Sequence, residues 1–147
     1  MASFWEPAAR EALVERARKL TPATPRRWGK MSPAAMLTHL TDAVRMAQGE
    51  LPAAPKKTLL RFAPIKQLVI YVTPWPHGAP TAPELIARAP GDLASERQAF
   101  EAAVGRLAAA RSASDLVPHP AFWKLSYRAW GVLLFRHIDH HLRQFGL

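Results

Sequence analysis

The chain reads as an all-α protein, a four-helix bundle with a proline-rich middle connection. Three observations predict this. Four stretches repeat apolar residues at threes and fours, the period of a helix with one buried face. Those stretches are bounded by residues that start or stop helices. The run that best suits a strand, QLVIYV at residues 67–72, has no partner strand anywhere in the chain. A lone strand leaves its backbone groups unpaired, so a sheet is not expected.

The first helix is expected over residues 8–20, AAREALVERARKL, where Leu13, Ala17 and Leu20 share a face and Glu15 stands four before Lys19. Thr21, Pro22, Thr24 and Pro25 stop it. Ser32 caps the second helix and Pro33 takes its first turn, where a missing N–H is harmless. That helix runs from Pro33 to about Gln48, and Gly49 ends it. Asp92 opens the third, over residues 92–111, with Leu93, Phe100, Val104 and Leu107 on one side. Ser126 caps the fourth, which runs to Phe145 and stops at Gly146.

The middle is less regular. LPAAPKK is a loop, and TLLRFAPIKQLVIYV suits a short helix around Pro64. Pro74, Pro76, Pro80, Pro83 and Pro90 then forbid regular structure over most of residues 74–90. With 147 residues and no repeat, one domain over 1–147 is expected.

Composition narrows the function. The chain has no cysteine, so a metal would be held by histidine or carboxylate and sulfur chemistry would need a diffusible thiol. No apolar run approaches the ~18 residues of a membrane span, and charge is scattered through the N-terminus where a signal peptide is apolar. A soluble, cytoplasmic protein without membrane partners is expected. The net charge of +9 suits an anionic small substrate or nucleic acid. Basic residues cluster at Arg16, Arg18 and Lys19 and at Arg26, Arg27 and Lys30, but no helix-turn-helix or RNA-binding signature accompanies them, which argues against nucleic acid.

The chain ends HIDHHLRQFGL. Advancing about 100° per residue, Trp130, Leu134, His137, His141 and Phe145 fall in one sector less than about a quarter-turn wide. His137 and His141 therefore interrupt the stripe that should be core. Unpaired buried imidazoles cost roughly 1–3 kcal/mol each, and protonating both sets like charges side by side. A shared divalent metal resolves both problems, and an i,i+4 pair can reach one cation. His39, at the edge of the second helix's apolar face, is the third candidate, with Asp42 as a partner for its other ring nitrogen. His140 lies to the flank, and His77 and His119 stand beside prolines as turn residues or as lining of a mouth. Lys124, Arg136 and Arg143 are candidates to hold an anionic substrate, and Gln144 to hydrogen-bond a ligand. Phe122, Trp123 and Trp75 are candidates for an exposed apolar patch that pairs two subunits.

The stretches RRWGKMSPAAMLTHLTDAVRMAQGE and HPAFWKLSYRAWGVLLFRHIDHHLRQFGL resemble the two signature regions of the DinB/YfiT-like metal-dependent hydrolase superfamily. They look closest to its branch with a WGKMSPxxMLxHL opening and an HxxHHLRQFG ending. The resemblance implies an up-down-down-up four-helix bundle holding nickel or zinc on three histidines, which fall here on His39, His137 and His141. It further implies hydrolysis or thiol-dependent S-transfer on a small molecule, with bacillithiol or mycothiol as the thiol of known relatives, and often a homodimer. The competing expectation is a non-catalytic basic bundle, its metal structural or absent, acting in nucleic-acid binding or subunit association.

Overall fold

The computed structural model describes residues 1–79 and 81–147; Pro80, one of the prolines of the middle connection, lies outside the described residues. Helix α1 spans Pro7–Arg18 and buries Leu13, Val14 and Ala17. Its last turn tightens, Lys19 and Leu20 donating to Arg16 and Ala17, so it ends two residues before the expected boundary. Helix α2 spans Pro33–Ala47, and the Ser32 hydroxyl accepts the Ala35 N–H at 3.1 Å as the capping pattern requires. Gly49 follows with φ of +80°.

The middle connection holds α3, Ile65–Gln67, continued by a π-helical turn over Leu68–Val72. The strand-like run is therefore helical, and the described residues contain one isolated β-bridge, His119 to Trp123. Helix α4 spans Leu93–Leu107, with Asp92 accepting from the Ser95 N–H at 3.0 Å. It stops short of Arg111 because other groups claim the backbone there. Asp115 accepts the N–H groups of Arg111 and Ser112, while the Tyr127 hydroxyl donates to the Ala110 carbonyl. Helix α5 spans Tyr127–Gln144, capped by Ser126.

The four long helices form one core, α2 packing chiefly on α4 and α1 chiefly on α5. Helix α2 is buried almost all round, and the Thr38 and Thr41 hydroxyls satisfy themselves on the carbonyls of Ala34 and Leu37. The N-terminal segment crosses α5 at Gly131. Phe4 donates to the Gly131 carbonyl at 2.9 Å, and a Cβ there would clash with the Trp5 ring. Trp5 stacks on Tyr127 at 4.3 Å and donates its indole N–H to the Tyr127 carbonyl.

The expected apolar patch does not form. Phe122 is buried and Trp75 is half-buried, with only Trp123 exposed. The outward apolar side chains belong instead to the connection, at Leu59, Phe62, Leu68 and Val72. Among the described residues, no helix is long and apolar enough to cross a membrane.

Candidate metal centre

Helix α2 brings His39, and α5 brings His137 and His141, to one point between them. One ring nitrogen from each lies within 4.8 Å of the others. The Nε2 atoms of His39 and His137 are 3.0 Å apart. Ligand nitrogens about 2.0–2.1 Å from a tetrahedral zinc stand roughly 3.3 Å from one another, so this pair is already near that spacing.

The outer nitrogens fix how two of the rings are protonated. His39 Nδ1 lies 3.2 Å from the Leu85 carbonyl, which can only accept, so Nδ1 carries the proton and the Nε2 lone pair faces inward. His141 Nδ1 lies 3.1 Å from Gln144 Oε1. The Gln144 amide is oriented in turn, because its Nε2 donates to the Trp28 carbonyl at 2.9 Å. His141 therefore also holds its proton on Nδ1 and turns Nε2 inward. Both are the arrangement in which an imidazole is a metal ligand with its second nitrogen braced.

Electrostatics favours the neutral, ligating form. Desolvation is the main force lowering the pKa of His39, His137 and His141, to about 3 for His141, and mutual repulsion among the rings adds to it for His137 and His141. The donor set thus fits a divalent cation: converging lone pairs, and three neutral ligands that leave further coordination positions open.

The bracing of His39 corrects one expectation. Asp42 does not reach the ring nitrogen; it faces Arg45 and Arg88. Arg88 also forms two parallel bonds with Glu96, at 2.9 and 3.1 Å, and Glu96 accepts the Gly91 N–H. Asp42 and Glu96 are both buried. Together they clamp the segment that carries Leu85, so Asp42 serves His39 through the chain that holds the carbonyl.

Other expected residues take different places. Arg136 is not at a mouth: its guanidinium is spent on the carbonyls of Val69, Ile70 and Thr73, and it lies over the Trp75 ring. Gln144 braces His141 and is not free for a ligand. Lys124 is exposed, and its carbonyl accepts from Lys66. His119 caps its own loop, Nδ1 accepting the N–H groups of Ala121 and Phe122, and burial lowers its pKa to about 4. His140 flanks His141 with ring centroids 5.3 Å apart. His77 stacks on Trp28 at 3.9 Å, and Trp75 stands 6.0 Å from His137.

Sequence reasoning missed Leu85, Arg88 and Trp28. Leu85 acts through its backbone and leaves no mark of residue type. Trp28 had a signal in the Trp-Gly pair of the WGKMSP opening. Gly29 has φ of +79°, and a Cβ there would clash with Gln144 Nε2, so glycine lets the amide reach the Trp28 carbonyl.

An all-α bundle with three convergent imidazoles between two of its helices fits a histidine-based metal site. The family model of the DinB superfamily matches residues 8–145, and the chain belongs to that superfamily. Comparison with curated proteins gives no match. Comparison with solved structures gives none either.

Proposed function

We propose that the chain is a metal-dependent enzyme that holds zinc or nickel on His39, His137 and His141 and acts on a small molecule by hydrolysis or by transfer of a low-molecular-weight thiol. The convergence of three ring nitrogens within 4.8 Å, on rings kept neutral by burial, carries this reading. A divalent cation there supplies Lewis acidity that lowers the pKa of a water or thiol brought to it. The protein's own part is orientation. Leu85 and Gln144 hold two rings with their lone pairs inward, so little has to rearrange on loading. Three neutral ligands leave the cation's charge uncompensated, which favours an anionic nucleophile over a neutral one. The chain has no cysteine of its own, so an attacking sulfur comes from a diffusible thiol.

Elemental analysis of untagged protein dialysed against zinc or nickel tests the reading. About one equivalent per chain is expected for the wild type, falling at least tenfold in His39→Ala and His137→Ala. Equal metal content in all three proteins overturns it. Incubation of the loaded protein with thiols and electrophiles, against a parallel panel of esters and amides, then separates S-transfer from hydrolysis.

A further inference from the structure

Across His140 from the three imidazoles, and lined by none of them, the surface opens into a cleft of about 570 Å³. One wall is the stacked pair Trp28 and His77. These rings adjoin the candidate metal centre through His140, whose centroid is 5.8 Å from Trp28, 6.2 Å from His77 and 5.3 Å from His141. The same Trp28 supplies the carbonyl that orients Gln144 and, through it, His141. Cleft and centre are thus neighbours that share a structural part.

The cleft's other lining is guanidinium. Arg16, Arg27 and Arg143 face it, with Asp139 as the one acidic side chain among them. Arg16 is committed: it pairs with Asp139 at 2.7 Å and donates to a main-chain carboxylate oxygen of Leu147. Arg143 gives Asp139 only its Nε, at 2.8 Å, which leaves both terminal nitrogens for another acceptor. Arg27 pairs with no carboxylate among the described residues. Its backbone N–H is fixed on the Gln144 carbonyl, and its guanidinium lies against Gly146. Even counting a terminal carboxylate on Leu147 beside Arg16, two carboxylates do not neutralise three guanidiniums, and the two guanidiniums with unused donors flank an aromatic wall. Planar forks of this kind match the oxygens of a carboxylate or phosphate, which accept two parallel N–H bonds.

We propose that this cleft is an anion subsite: Arg27 and Arg143 hold a carboxylate or phosphate group of the substrate, Trp28 and His77 wall it, and the reacting end of the same molecule extends past His140 to the three imidazoles. The assignment rests on the functional reading above and adds to it a substrate class, a small molecule with an anionic group set apart from its reacting group. It also gives a use to cations that the metal centre itself does not need.

Calorimetric titration of the full chain, without added metal and at low ionic strength, tests it, with inorganic phosphate and succinate as separate probes. Binding of at least one probe is expected for the wild type, weakened at least about tenfold in Arg27→Gln/Arg143→Gln. The charge-matched control Lys57→Gln/Arg111→Gln, away from the cleft, is expected to change affinity less than about twofold. Phosphate binding alone assigns a phosphoryl group, and succinate binding alone a carboxylate. Absence of both, or equal weakening in the two double variants, overturns the subsite. The melting temperature, measured in parallel, shows that each variant is folded. Since no metal is present, a failure of metal uptake and a failure of anion binding are read in separate experiments.

Discussion

Two regions brace the candidate metal centre, and they do so differently. Around Trp28 and Gly29 the brace is made by a side chain: Gln144, one turn beyond His141 on α5, is pinned to the Trp28 carbonyl and accepts a hydrogen bond from the His141 Nδ1–H. In the segment from Pro83 to Gly91 the brace is a backbone oxygen, that of Leu85, held in place by Arg88 between Asp42 and Glu96. A side-chain brace is specified at one position and can be removed there. A backbone brace has no residue identity of its own, so it can be disturbed only by loosening what clamps it.

The largest loss is expected at the clamp. Arg88→Met leaves Asp42 and Glu96 buried without their shared cation, and losing one partner of a buried ion pair costs about 3–5 kcal/mol. Arg88 itself is partly exposed and Asp42 keeps Arg45, so about 3 kcal/mol is expected in urea unfolding. Zinc affinity should fall with it, because the Leu85 carbonyl is freed. Affinity unchanged in a destabilised variant would separate the clamp from the site.

Next comes the side-chain brace. Gln144→Leu removes the His141 acceptor, and loss of such a partner lowers metal affinity by roughly 10–100-fold. The apo protein should lose about 2 kcal/mol, about 1 for each of its bonds to His141 and Trp28. This variant should therefore cost less stability than Arg88→Met while still lowering affinity. Competition with a chromophoric chelator and urea unfolding give the two numbers.

Gly29→Ala sharpens the contrast more gently. Its Cβ meets the Gln144 amide, and the positive φ adds strain of about 1 kcal/mol or more. Zinc affinity is expected to fall less than in Gln144→Leu, since a displaced amide can still reach His141. A loss as large as that of Gln144→Leu would mean that the Trp28 carbonyl, more than the amide, sets the ring.

The smallest effect near neutrality is that of pH on the metal-free protein. Burial holds the folded pKa of His141 near 3 and of His119 near 4, against 6.5 in an unfolded chain. Between those values the unfolded state binds the extra protons. Stability is thus full above about pH 6.5 and declines as pH falls towards the folded values. Urea midpoints that rise on acidification would contradict this. Zinc should raise stability across this range and leave the onset near pH 6.5, which the unfolded chain sets.

Much of this was legible in advance. The caps Ser32, Asp92 and Ser126 and the apolar spacing of Leu93, Phe100, Val104 and Leu107 are local signals, and the helices begin where they indicate. His137 and His141 were legible for the same reason, since helix geometry alone puts residues four apart on one face. The middle connection was not. Its prolines remove the period on which such reading depends, and its short helical turns, its outward apolar side chains and its Leu85 carbonyl are fixed by contacts with distant residues.

Residue order alone specifies an all-helical chain, its helix starts, a cysteine-free chemistry and an imidazole pair on a face that should be core. Those are properties of neighbours within a turn or two, where covalent geometry sets who meets whom. Only the tertiary structure decided that His39 closes the group, that Leu85 and not Asp42 turns its ring, and that Arg136 is spent on carbonyls while Arg143 faces a cleft. Such contacts join positions far apart along the chain, and packing of the whole molecule, not spacing, selects them.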